Sequence, residues 1–373
     1  MLKTYNEKLS KLINKYFAIY EMQWIPTVNC AVIDRGKLFV FPLIFSFALF
    51  CTAWHLFFQM ESLDNVLEVT FTSNLTIAYF QTIITILTIN LYSKKDLVKV
   101  LNYFEDIATS KDEYLAAERE KYLGRNLQFA WKLVRIFLIG MSVESPVFPL
   151  ASLLQSNFTR GLTYRIPGIP PNSIFFIPAN TVGEILLFFL LVCVMIIGDT
   201  LLLIYFFYFR GEFLAITSLT DLLSRPPTSS NYHGNLLKKI YCSHQRALNE
   251  FSRLSNFLWH FYCQKLFGIS LYLITSLFVF SKGNDSLLIG IFLLIFIICQ
   301  LAMLCIPGQL IDNCSEAFRE RLYMNFSCEM NIKDQRNLLI LMMGARKNIS
   351  AQTFGLGKVS IFTLVQFKFG FLQ

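Results

Sequence analysis

Seven stretches of the chain hold apolar residues almost without interruption, each close to the roughly 20 positions a helix needs to cross a bilayer. They are 38–60, 66–92, 129–147, 182–209, 258–280, 287–306 and 354–372. The connections alternate in character. Segments 93–126, 210–257 and 309–353 are long and charged, 61–65 and 281–286 are very short, and 148–181 is longer, Pro-rich and apolar. Inside the charged segments the apolar positions return to helical spacing. Leu97, Val100, Leu101, Phe104 and Ile107 do so within 96–122, and Leu237, Ile240, Tyr241 and Leu248 within 236–257. Stretches 317–326 and 337–343 repeat the pattern. Two arrangements fit: membrane helices continue past the bilayer and pack together, or separate amphipathic helices lie on the lipid surface. The first is preferred.

Composition agrees with a membrane protein. Apolar residues make up 54% of the 373 positions and charged ones only 16%, and the 38 Phe exceed what a soluble core needs. Mean hydropathy is +0.49. Charge then sets orientation. The first 37 residues and the three charged segments hold about 25 of the 33 Lys and Arg, and the other three loops about three. By the positive-inside rule the N-terminus is cytosolic, and seven crossings place the C-terminus outside. The expected fold is therefore all-α, a seven-transmembrane helical membrane protein with a cytosolic N-terminus and an extracellular C-terminus. Residues 1–37 contain no cleavable apolar segment, so the first span serves as an uncleaved signal.

Candidate chemistry changes this picture little. There is no GxSxG, Walker-type loop, HExxH or GxGxxG in strand–helix context, so no enzyme activity and no cofactor is expected. The nine Cys form no CxxC pair or His/Cys cluster, which points to inert thiols, no metal site and no extracellular disulfide. Asn157 heads the one well-placed glycosylation sequon, in the expected outer loop. Nothing suggests a nucleic-acid partner. Ionisable residues within spans are more informative. Asp199 lies inside the fourth and Lys358 and Lys368 in the seventh, whereas Glu68, Glu184, Glu144 and Lys132 lie near span ends, where a long side chain reaches water. In the seventh span Thr363, Gln366, Phe367 and Gly370 share one helical stripe, extended by Ser360 and Leu356. Such a stripe packs on a neighbour or lines a pore; packing is the simpler reading of the residues alone.

The closing 70 residues resemble the insect odorant receptor family. The carriers are Pro307-Gly308-Gln309-Leu310, then Ser315, Ala317, Leu322-Tyr323 and Phe326, where the family usually has Trp, followed by Asn337 to Met343, Phe354, Leu356 and the Phe-rich end. Length and layout extend the resemblance over essentially the whole chain. The chain lacks the long extra cytosolic loop of the family's co-receptor, so it resembles an odour-tuning subunit.

The resemblance implies a subunit of a heteromeric, tetrameric, ligand-gated, non-selective cation channel in the plasma membrane of sensory-neuron dendrites, partnered by the co-receptor and membrane lipid. The ligand would be a small volatile organic odorant. Residues 38–308 would hold helices 1–6, the pocket and their cytosolic extensions, 309–353 an anchor between subunits, and 354–373 the pore-lining helix. Thr363, Gln366, Phe367 and Gly370 would then face the pore. The pocket would use Phe71, Ala78, Phe137, Gly140, Met141, Glu144, Phe188, Tyr272 and Ser276. A gustatory-type receptor of the same superfamily is the nearest alternative. A G-protein-coupled receptor fits less well: it needs an outside N-terminus, and no DRY-like or NPxxY-like triplet is present.

Overall fold

A backbone in lipid must satisfy its polar groups internally, so apolar stretches of this length fold as helices. A computed structural model describes residues 2–20, 31–59, 66–88, 94–110, 115–155, 166–170, 172–224, 232–281, 287–325, 330–345, 352–353 and 357–358. Nine α-helices occur among them: α1 (Leu2–Tyr20), α2 (Ala31–Trp54), α3 (Val66–Leu87), α4 (Lys94–Thr109), α5 (Ala116–Gln155), α6 (Phe176–Thr220), α7 (Tyr232–Ser281), α8 (Leu287–Met324) and α9 (Ile332–Ala345). The fold is an all-helical, multi-pass membrane bundle. Leu38–Phe58, Phe176–Thr220, His260–Ser281 and Ile297–Met324 are long and apolar enough to cross a bilayer; they overlap the first, fourth, fifth and sixth expected spans, the sixth over 297–306 alone. The second and third spans fall on α3 and α5, where polar residues dilute the apolar run.

Several boundaries differ from expectation. Helix α2 starts at Ala31 and passes at Trp54 into a π-helical turn, His55–Gln59. The pattern in 96–122 is two elements, because α4 stops at Thr109 and α5 starts at Ala116. From there α5 continues for 40 residues through the expected third span. Gly357 and Lys358, expected to open a seventh helix, instead pair antiparallel with Thr353 and Gln352. Residues 359–373 lie outside the described residues.

The charged segments form a packed helical layer, as preferred above. On α4, Leu97, Val100, Phe104 and Ile107 are buried, and on α7 Leu237 and Ile240 are, although Tyr241 points outward. Phe104 stacks on Tyr208 of α6 with ring centroids 3.5 Å apart. Its carbonyl accepts hydrogen bonds from Tyr208 Oη (3.0 Å) and Asn6 Nδ2 (2.7 Å), so one backbone group ties α1, α4 and α6 together. Helix α7 joins through His244, which stacks on Phe318 of α8 (4.3 Å) and meets Phe213 of α6 edge-on (6.1 Å).

Helices α5 and α6 form the most extensive pair. A Cβ on Gly211 would lie 2.8 Å from both Cα and Cδ1 of Leu123, so only glycine permits this approach. Beside it Glu212 is fully buried, and Arg119 of α5 reaches it in a fork: Nε to Oε2 at 2.9 Å and Nη2 to Oε1 at 2.6 Å. That geometry suits guanidinium and carboxylate.

Removing one partner of such a pair strands a buried charge. Glu212→Ala is expected to cost about 3–5 kcal/mol, read as a lower unfolding midpoint of the purified receptor, and the double change Arg119→Met with Glu212→Leu should recover most of it. A second expectation concerns pH. Burial lowers the His244 pKa from 6.5 to about 4, so between those values the unfolded chain binds a proton that the fold rejects. Stability is complete above about pH 6.5 and declines as pH falls toward 4, by at most about 3 kcal/mol; in His244→Phe this decline should be smaller by that amount in thermal melts run across the window.

Candidate functional site

Polar residues in a membrane core are costly and therefore informative. On α3, Phe71, Asn74, Ala78, Gln81 and Thr85 recur at intervals of three or four and share a face; on α7, Gln264, Gly268, Tyr272 and Ser276 do the same. These two faces meet as a seam. Thr275 Oγ1 donates to Asn74 Oδ1 (2.8 Å), Tyr272 Oη to Gln81 Oε1 (3.4 Å), and Gln81 Nε2 to the Gln264 carbonyl (3.3 Å). Gln264 Nε2 donates in turn to Thr85 Oγ1. Gly268 makes room for this network, since a Cβ there would fall 1.4 Å from Gln81 Nε2.

Helix α6 closes the third side. Its Asp199 accepts from Lys265 Nζ of α7 at 3.1 Å, with the lysine also 5.5 Å from the centre of the Phe261 ring. Both charges are largely withdrawn from solvent. A cavity of about 10 Å³, bounded by Gln81, Thr85, Met195, Phe261 and Lys265, lies between the three helices; it has room for one water at most. Toward the other end of α3, Glu68 Oε1 lies 2.8 Å from His55 Nε2 in the π turn.

The expected pocket residues divide into two groups. Ala78 and Tyr272 are buried in one continuous core against which Phe188 packs. Phe71 is half-buried one turn from Asn74, and Ser276 follows Thr275 on the seam. Ser276 is 1% exposed, and its buried hydroxyl has no hydrogen-bond partner among the described residues. The structure thus brings Phe71, Ala78, Tyr272 and Ser276 to one seam. The side chains of Phe137, Gly140, Met141 and Glu144 lie outside the described residues, although their backbone belongs to α5, and so do Asn157, Thr363, Gln366, Phe367 and Gly370.

Sequence reasoning missed Gln81, Gln264 and Lys265. A signal was available for the lysine: Asp199, singled out within the fourth span, needs a cation on another span, and Lys265 is the cation of the fifth. Glu68 and Glu184, expected to reach water, are instead paired with His55 and buried, respectively. A second candidate site lies in the charged layer. A groove of about 750 Å³ between the end of α8 and α9 is lined by Glu316, Arg319, Tyr323, Met324, Leu339 and Met343, and Tyr323 and Met324 are 74% and 80% exposed.

With this geometry established, comparisons place the chain. A family model described as 7tm odorant receptor matches residues 65–367. Among solved structures the chain is similar to the insect olfactory receptor OR5 from Machilis hrabei, with a TM-score of 0.72 at 12% identity over 98% of this chain and 97% of that one. It is similar also to the same receptor in complex with eugenol, with a TM-score of 0.70 at 13% identity over the same shares. No curated protein matches in sequence.

The seam yields a direct expectation. In Gly268→Ala the new methyl must displace the Gln81 amide and break its bonds to Tyr272 and the Gln264 carbonyl. A loss of about 1–3 kcal/mol is expected for polar groups stranded in this way, read as a lower unfolding midpoint. Gly344→Ala, where a Cβ meets nothing within 4 Å, serves as the neutral control.

Proposed function

This chain belongs to the 7tm odorant receptor family, and on that premise we propose that it is the odorant-binding subunit of a heteromeric, ligand-gated, non-selective cation channel. It acts in the plasma membrane of olfactory neurons, with its N-terminus in the cytosol. The observation that carries the ligand half of this reading is the α3/α7 seam with α6 beside it: aromatic and apolar surface from Phe71 and Ala78 of α3, Phe188 of α6 and Tyr272 of α7, with a buried Ser276 hydroxyl that has no partner among the described residues. Pockets for small organic molecules combine these elements, a mostly apolar wall and a few polar anchors; because the cavity at the seam admits one water at most, ligand entry requires the helices to part. The ligand is accordingly a small volatile molecule, largely apolar, with one oxygen that can bond to Ser276. The solved complex of a similar fold with eugenol supports a ligand of this size.

The assembly half rests on the charged layer. A groove rimmed by exposed Tyr323, Met324 and Met343 suits burial against another subunit, and the partner we assign is the family's co-receptor. Ion passage is assigned to residues 354–373, with Thr363, Gln366, Phe367 and Gly370 facing the pore. Ligand opens the channel by binding the open arrangement of the helices more tightly than the closed one. The Lys265–Asp199 pair and the Gln81 network couple the seam to α6, so a shift of α7 against α3 reaches the rest of the bundle.

Co-expression with the co-receptor and electrical recording against an odorant panel tests this reading. Cation current evoked only when both subunits are present is the expected result. Ser276→Ala should raise the half-maximal concentration of an oxygen-bearing ligand about 3–10-fold, the worth of one hydrogen bond, and should spare a hydrocarbon analogue. Substitutions at Gln366 and Phe367 should change permeation. Robust current from this chain alone would overturn the heteromeric assignment, and unchanged permeation in both pore variants would overturn the pore assignment.

A further inference from the structure

The outward face of α5 carries cations that no carboxylate among the described residues pairs with. Lys121, Arg125, Lys132 and Arg135 are all exposed. At 100° per residue their offsets of 4, 11 and 14 place them within about 40° of Lys121 around the helix. The opposite face holds Leu123, Leu127, Ala130 and Val134, all buried, and α5 packs on α6. The stripe therefore faces away from the core. Two exposed arginines elsewhere find carboxylates: Arg246 with Asp106 at 2.6 Å, and Arg321 with Asp221 at 2.7 Å. Among the described residues none of the four stripe cations forms an ion pair, and only Lys121 has a near neighbour, the Tyr122 ring at 5.0 Å. The nearby carboxylates of α5 turn elsewhere: Glu118 accepts from Ser218 Oγ (3.0 Å) and Glu120 from the Leu2 amide (3.5 Å).

The same face gains large apolar groups along the helix. Phe129, Ile136 and Ile139 are each more than half exposed and share the stripe's side of α5. Cations alone at 121 and 125 give way to cations mixed with apolar groups from 129 to 136, and then to Ile139. A helix leaving the polar headgroups for the acyl region has this profile. Lys132 and Arg135 sit deeper, but their long stems can carry the charges back to the headgroup plane. Snorkelling cations converge there with Arg125 on whatever anion occupies that plane.

We propose that this face of α5 is a binding site for an anionic phospholipid, whose headgroup takes Arg125, Lys132 and Arg135 and whose acyl chain lies along Phe129, Ile136 and Ile139. A net negative headgroup matches uncompensated cations, and exposed apolar side chains match its tails. The positive-inside arrangement puts the stripe in the cytoplasmic leaflet, where anionic lipids concentrate. The site needs no odorant and no current for its detection, so its failure and the failure of the channel reading are separable.

The test is lipid retention by the full-length receptor in detergent, measured by native mass spectrometry with phosphatidylserine and phosphatidylcholine in competition. At low salt the wild type should retain phosphatidylserine with about a tenfold preference or more, declining as salt screens the charges. Arg125→Gln with Lys132→Gln and Arg135→Gln should abolish the preference, and the charge-keeping Lys132→Arg should preserve it. A photo-crosslinker at the exposed Gln128 should label lipid in membranes. The proposal is overturned by a wild type without preference at low salt, by a triple variant that keeps it, or by a crosslinker that captures a protein chain in place of lipid. The wild-type competition decides the matter even if the triple variant does not fold.

Discussion

A carboxylate with no exposed surface has to find a cation, and the cation must arrive in a geometry that satisfies both oxygens. Glu212 meets that condition only because Arg119 of α5 lies against it, and Arg119 gets there only because Gly211 lets the two backbones close up at Leu123. Charge and steric fit thus specify the same register between α5 and α6. A slip of one residue would bury an unpaired charge and drive a Cβ into a backbone. The layer built on this pair inherits its precision. Phe104 stacks on Tyr208, one turn before Glu212, and its carbonyl gathers α1 and α6. His244 then joins α7 and α8 to the same part of α6.

The membrane part of the bundle uses a different principle. Lipid tails are as apolar as leucine, so apolar surface gives helices little reason to choose one partner over another. Hydrogen-bonding side chains supply the choice. Asn74, Gln81 and Thr85 of α3 match Thr275, Tyr272 and Gln264 of α7 in antiparallel order, and Asp199 with Lys265 adds α6. Such a network holds the helices in register while leaving the Ser276 hydroxyl and Gln264 Oε1 on the seam with no partner among the described residues. Specific packing and recognition of a ligand can therefore reside on one seam.

Much of the fold was legible in the chain. Runs such as Leu38–Phe58 and His260–Ser281 announce themselves, because lipid tolerates nothing else. The period of Leu97, Val100, Phe104 and Ile107 announced α4 equally well, and all four are buried. Less legible were places where the environment changes but the helix does not. Helix α5 passes from a layer of charged neighbours into lipid without a cap or a break, so its hydropathy shows a span beginning near 129 although the helix starts at Ala116. The short ladder of Gln352 and Thr353 with Gly357 and Lys358 was hidden for the opposite reason: a stretch with helical apolar content adopts extended pairing where glycines punctuate it. Tyr272 and Ser276 were expected at a pocket from layout and resemblance, and the structure places both on the α7 side of the seam. Lys265 was invisible until matched with Asp199, since the two are 66 residues apart and each alone reads as an isolated cost.

One further consequence concerns α7, whose 50 residues run without interruption from the layer of charged helices to the far side of the seam. At 1.5 Å per residue it is a rod about 75 Å long. Its lower part is clamped by His244 and its upper part by Gln264, Tyr272 and Thr275. A rod held in this way works as a lever: a tilt of about 5° about its midpoint moves each end by about 3 Å in opposite directions. A displacement of that size at one end is comparable to the width of a methylene group, and the other end moves as far without any intermediate joint.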